Sequence, residues 1–89
     1  MSEYKFYVYN NKARYYKNFE DARESIKHIY SNDYLALGVT KDGLYSCDLL
    51  IKENGNYRIS LDYQKLENFS NDGLIANNTI QILKREFNL

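Results

Sequence analysis

The sequence predicts an α+β domain: a mostly antiparallel sheet of about five strands, with two helices packed on one face. Three observations carry this. The first nineteen residues alternate aromatic and polar side chains around Asn10-Asn11, which is the pattern of a hairpin. Residues 35–63 repeat that alternation across two further turn signals, Lys41-Asp42-Gly43 and Asn54-Gly55-Asn56. Two stretches, 19–31 and 73–87, instead place apolar residues at helical spacing. The element order is β-β-α-β-β-β-α, a grouping that suits helices on one side of an antiparallel sheet. With 89 residues, the whole chain is one domain.

In the first strand, residues 4–9, Tyr4, Phe6 and Val8 share one face and Lys5, Tyr7 and Tyr9 the other. Asn10-Asn11 tolerates the positive φ of a tight turn, and residues 13–17 return as the second strand. Asn18 is a good N-cap, and Glu20 and Asp21 suit a helical first turn. Phe19, Ala22, Ile26, Ile29 and Tyr30 form the apolar stripe of the first helix, which Ser31-Asn32-Asp33 stops.

Two hairpins follow. A three-residue loop at Lys41-Asp42-Gly43, with Gly43 left-handed, sets Val39 against Tyr45, Leu37 against Cys47 and Leu35 against Leu49. A three-residue loop at Asn54-Gly55-Asn56 sets Ile51 against Ile59, Leu49 against Leu61 and Cys47 against Tyr63. The commoner two-residue Asn-Gly turn would pair Ile51 with Arg58 and Leu49 with Ser60. Burial favours the first choice, because a one-residue slip turns a whole face over. Residues 64–70 are a loop or short helical turn carrying Leu66 and Phe69. Asn71 or Asp72 caps a last helix striped by Ile75, Ala76, Thr79, Ile80, Ile82, Leu83 and Phe87; Gly73 opens it.

Composition narrows the work such a domain could do. Net charge is zero, so no overall field draws nucleic acid. The first seventeen residues are nevertheless basic, with Lys5, Lys12, Arg14 and Lys17 against Glu3. No apolar run approaches the ~20 residues of a membrane span, and the N-terminus lacks the apolar region of a signal peptide. Cys47 is single, so the chain forms no internal disulfide. These features together suggest a soluble, cytoplasmic protein.

Catalytic patterns are missing. His28 reads as a helix-surface or half-buried residue, and Cys47 as a small buried hydrophobe. No phosphate loop, nucleophile elbow or zinc spacing occurs. The expectation is a non-enzyme with no cofactor and no metal.

The sheet face away from the helices is the candidate surface. In the chosen register it carries Ala36, Gly38, Thr40, Ser46, Asp48, Leu50, Lys52, Arg58, Ser60 and Asp62. Asp48 stands opposite Asp62, roughly 5 Å apart at Cβ, a mildly repulsive placement. A functional pair would bind a metal, share a proton or meet a partner's cation. A register error, or neutralisation by Arg58 or Lys52, explains it more simply. The first hairpin extends this surface with Tyr7, Tyr9, Arg14 and Tyr16. The expected partner-binding set is thus Asp48, Leu50, Arg58, Asp62, Tyr7, Tyr9, Arg14 and Tyr16, since Tyr and Arg are favoured at interfaces. The same hairpin could instead stack bases and hold phosphates through Lys5, Tyr7, Tyr9, Lys12, Arg14 and Lys17. Zero net charge favours tyrosine as an ordinary strand residue with a wetted hydroxyl.

Leu37-Gly38-Val39, Asp48-Leu49-Leu50, Asn54-Gly55, Ser60-Leu61-Asp62-Tyr63 and Phe69 with Asp72 and Ile75 resemble a motif of small accessory domains of phages and conjugative elements. This is the large polyvalent protein-associated class, and the likeness covers about residues 35–76. The resemblance implies a mobile element's protein acting in the host cytoplasm. It further implies an anti-defence inhibitor of the anti-CRISPR kind, occluding a host protein or nucleoprotein complex. It places Asp48 and Asp62 among contact residues. The neutral charge argues against DNA mimicry and for a contact based on shape. Self-association, as in a homodimer, is a further alternative.

Overall fold

The computed structural model describes residues 4–41, 45–68 and 70–89. Its five strands are β1 (Tyr4–Tyr9), β2 (Ala13–Tyr16), β3 (Leu35–Lys41), β4 (Tyr45–Glu53) and β5 (Asn56–Ile59). They form one antiparallel sheet in the order β2-β1-β3-β4-β5. Helix α1 (Phe19–Lys27) follows β2, and helix α2 (Ser70–Glu86) follows a 3₁₀ segment, Leu61–Asn68. The α+β class, the antiparallel sheet and the two helices match the sequence reading.

A single cluster joins both helices to one sheet face. Phe6, Val8, Leu35, Leu37, Val39, Cys47, Leu49 and Leu50 supply the sheet side; Ala22, Ile26, Ala76, Ile80 and Leu83 supply the helices. Burying a Leu, Ile or Phe of this kind contributes about 1.5–3 kcal/mol. A polar clasp ties the helices: the Arg23 guanidinium reaches Glu86 Oε1 at 2.7 Å, and Lys27 Nζ reaches the same oxygen at 3.3 Å.

Helix α1 starts as its sequence dictates. The Asn18 side-chain oxygen accepts from the Asp21 amide at 2.9 Å, which satisfies one of the free N–H groups of the first turn. It ends earlier than residue 31. The amides of His28 and Ile29 bond three residues back, to Ser25 and Ile26. This tightens the last turn and takes Tyr30 off the helical period. Tyr30 is 91% exposed, not part of the buried stripe.

The central strands depart from the expected register, and β4 is the cause. Val39 faces Cys47 and Gly38 faces Asp48, but Leu37 faces Leu50. Leu49 is therefore an extra residue, a bulge. Both Leu49 and Leu50 point into the core, at 1% and 0% exposure. Beyond the bulge the alternation is inverted. Asn54-Gly55 then forms the two-residue turn that burial had argued against. Asn54 and Gly55 have φ of 54° and 81°, the signature of a type I′ hairpin turn. Ile51 faces Arg58, and Leu50 faces Ile59. The Ser60 amide donates to the Leu49 carbonyl at 2.9 Å.

The chain leaves the sheet at Ile59, short of the expected Tyr63. Ser60 Oγ accepts from the Asp62 amide at 3.2 Å, a local bond that competes with the ladder and starts the 3₁₀ segment. Helix α2 begins at Ser70, so Asn71, Asp72 and Gly73 lie within its first turn. Ala76, Thr79, Ile80 and Leu83 are buried as expected, whereas Ile82 is 38% exposed. The conformation of Gly43, Phe69 as a whole, and the side chains of Tyr4, Tyr45, Leu66, Asn71, Asp72 and Ile75 lie outside what is described.

Candidate functional site: the open sheet face

The helices cover one face of the sheet and leave the other open. Cross-strand neighbours share a face, so the ladders define it. β1 contributes Lys5, Tyr7 and Tyr9, and β2 contributes Ala13 and Tyr15. β3 contributes Ala36, Gly38 and Thr40. β4 contributes Ser46, Asp48 and, past the bulge, Ile51; β5 contributes Arg58.

At the centre lies Tyr7, half-buried. Its hydroxyl crosses β3 and donates to Asp48 Oδ1. The crossing is possible because the residue beneath is Gly38: a Cβ there would collide with the Tyr7 ring and hydroxyl and with the Cys47 carbonyl. Burial, reinforced by the bond to Asp48 and its charge, raises the Tyr7 pKa far above its ordinary value. The phenol therefore stays protonated and is a fixed donor, not a base.

Around Tyr7 the aromatics pack edge to face. Tyr15 meets it at 6.5 Å between centroids and 62°. Tyr34, just before β3, meets Tyr9 at 6.3 Å and 66°. Partial burial and the charge of Asp48 raise the Tyr34 pKa, with Arg58 acting in the opposite sense. Tyr9, Tyr15 and Tyr34 remain 41%, 63% and 39% exposed. Beneath this layer Ala36 and Ile51 are opposed and buried.

The expected partner-binding residues are sorted differently by this geometry. Tyr7, Tyr9, Asp48 and Arg58 do share the open face. Leu50 does not: the bulge turns it into the core. Lys52 also moves to the helix side, over the ring of Tyr57 at 5.4 Å, and Tyr57 packs on Phe87. Arg14 and Tyr16 face the helices as well, opposite Val8 and Phe6, and the Tyr16 hydroxyl bonds Ser25 Oγ at 2.7 Å. Asp62 is not opposite Asp48. It lies in the 3₁₀ segment, 3.8 Å from Lys65, and Asp48 has Gly38 across the ladder and Tyr7 as its partner.

The nucleic-acid set is divided too. Lys5, Tyr7 and Tyr9 lie on the open face, but Lys12 is in the hairpin loop and Arg14 faces the helix side. Cations and aromatic rings do not alternate on one surface, and Tyr7 is too enclosed to stack a base.

Sequence reasoning missed Tyr15, Tyr34 and Ile51. Tyr15 was within reach, since its alternation with Tyr16 depends only on the length of the first loop. That loop is three residues, with Asn11 at φ 65°.

Among the described residues no group of three or more His, Cys, Asp or Glu side chains could hold a metal. Burial pushes the Cys47 thiol up to about 11, with help from Asp62 and Asp48, so it is a thiol at neutral pH. His28 is an exposed cap residue 3.7 Å from Glu24. No helix among the described residues is long and apolar enough to cross a membrane. Comparison with protein-family models, with curated proteins and with solved structures finds no match.

Proposed function

We propose that this chain is a non-enzymatic binding protein that occludes a partner macromolecule with its open sheet face. The observation that carries the reading is the exposed tyrosine layer: Tyr9, Tyr15 and Tyr34 stand out from a face whose floor, Gly38, Ala36 and Ile51, is already closed. Tyrosine offers large amphipathic area at low entropic cost, and Arg58 at the rim is the cation favoured at such contacts. Five strands spaced about 4.8 Å apart are broad enough to seat a contact approaching 800 Å². Tyr7, locked by Asp48, holds the layer in place, so little order remains to be imposed on binding.

The mobile-element resemblance supplies the context: the partner is a host defence protein or nucleoprotein complex, met in the host cytoplasm. The test is affinity capture from host lysate, with and without nuclease, by the native chain and by Tyr15→Ser/Arg58→Glu. A protein retained after nuclease treatment and lost by the variant supports the reading. Capture that disappears with nuclease supports nucleic-acid binding instead.

A further inference from the structure

The side of the first hairpin that faces the helices holds a second feature, separate from the open face. A cleft of about 380 Å³ lies between the β1–β2 hairpin and α1, lined by Val8, Asn10, Lys12, Arg14, Ser25 and Ile29. Its volume falls within the range of small-molecule sites, about 300–1,000 Å³. Its charge is one-sided. Lys12 and Arg14 line it, and among the described residues no carboxylate does and neither cation makes an ion pair.

Two polar groups add direction. Asn10 Oδ1 is sealed from solvent and has no hydrogen-bond partner. A buried acceptor left open is costly and uncommon. Ser25 Oγ is held by the Tyr16 hydroxyl at 2.7 Å. With Tyr16 donating, the Ser25 proton is free to donate again. Val8 and Ile29 make the wall apolar.

We propose that this cleft binds a small organic phosphate that also carries an N–H donor, the chemistry of a nucleotide. Two uncompensated cations match a phosphate monoester, which carries about −1.5 to −2 charge at neutral pH, better than a single carboxylate. Arg14 offers a planar fork for two phosphate oxygens and Lys12 a point charge. Ser25 donates to a third oxygen. A turn of the Asn10 side chain opens its sealed Oδ1 to the exocyclic amine of the base, and Val8 with Ile29 covers the apolar body. The same group could arrive free or as the phosphorylated end of a nucleic acid strand.

Titration at low salt with adenosine 5′-monophosphate, adenosine and inorganic phosphate tests the site, read by calorimetry and by amide shifts at Val8, Ser25 and Ile29. The monophosphate is expected to bind at least about tenfold tighter than adenosine, as one charge-assisted bond implies. Lys12→Gln/Arg14→Gln should lose at least about tenfold. Both side chains are exposed, so that variant should keep its fold, which circular dichroism checks. Asn10→Ala should weaken the monophosphate and leave inorganic phosphate unchanged. A parallel arm uses a short 5′-phosphorylated oligonucleotide: binding of the monophosphate alone identifies a free nucleotide, and binding of the oligonucleotide alone identifies a strand end. No shift at the cleft from either up to millimolar concentration overturns the proposal. So does equal binding by the native chain and the double variant.

Discussion

Four residues decide the character of the sheet. Gly38 is the smallest and has the least latitude. Its missing Cβ is the space through which Tyr7 reaches Asp48, and one of the atoms a Cβ would meet is the immobile Cys47 carbonyl. Gly38→Ala should therefore cost about 3 kcal/mol, seen as a fall of more than about 10 °C in Tm. Adding Tyr7→Phe should recover only part of it, because the backbone oxygen remains.

Tyr7 itself sets a pH dependence. Its folded pKa is raised above its unfolded value, mainly by burial and then by Asp48. The folded state keeps a proton that the unfolded chain releases. The stability tied to this group is thus complete below about pH 10 and is lost as pH rises through the folded pKa. Melting curves taken across the alkaline range should fall less steeply in Tyr7→Phe than in the native chain. Charge reversal at Asp48 strands the half-buried Tyr7 donor and should destabilise. At half-exposed Asp62 reversal should stay within about 0.5 kcal/mol. Cys47, 3% exposed and with its thiol pushed up to about 11, should resist thiol reagents at neutral pH until the chain unfolds.

At the scale of elements, β4 separates what the residues disclose from what they hide. Asn18 with Glu20 and Asp21 announces the start of α1, and Asn18→Ala should cost about 1 kcal/mol, measurable by denaturant titration. The alternation of β1 is equally legible, because Phe6 and Val8 are separated by polar-tipped neighbours. Leu49-Leu50-Ile51 is different. Three apolar residues in a row satisfy either phase of a strand, so a bulge leaves no mark in the pattern. A reading that assumed continuous alternation had to lengthen the Asn54-Gly55 loop to keep both ends consistent. The bulge inverts the face instead and lets the two-residue turn stand. This makes Leu50 a core residue, and Leu50→Ala should destabilise by about 2–5 kcal/mol. The stop of α1 at Lys27 was hidden for a related reason. Ile29 and Tyr30 continue the helical period, and the 3₁₀ bonds that end it are backbone events.

For the whole molecule, the layer arrangement was legible and the composition of its outer surface only partly so. Tyr7, Tyr9 and Asp48 were placed on the open face by alternation alone; Arg58 reached it through two departures from the real register, the missed bulge and the longer loop, that cancel. Tyr15 and Ile51 required the register, and Tyr34, lying outside any strand, required the tertiary structure. The outcome is two faces with different properties. The open face is aromatic and pre-set, and the hairpin's helix side is a basic cleft. The cations of the hairpin's helix side, Lys12 and Arg14, are therefore separate from the contact surface, and the proposed occlusion does not depend on them.

The central claim is that the open face meets the partner, and hydroxyl-radical footprinting of the captured complex tests it most directly. Tyrosine oxidises readily when exposed, and this protein carries its own control in Tyr30, 91% exposed in the loop after α1 and lining a surface hollow with Lys52, a helix-side residue. Comparing the free and bound chain, oxidation should fall at Tyr9, Tyr15 and Tyr34 and stay unchanged at Tyr30. Unchanged oxidation at those three, with protection of Tyr30 instead, would contradict it.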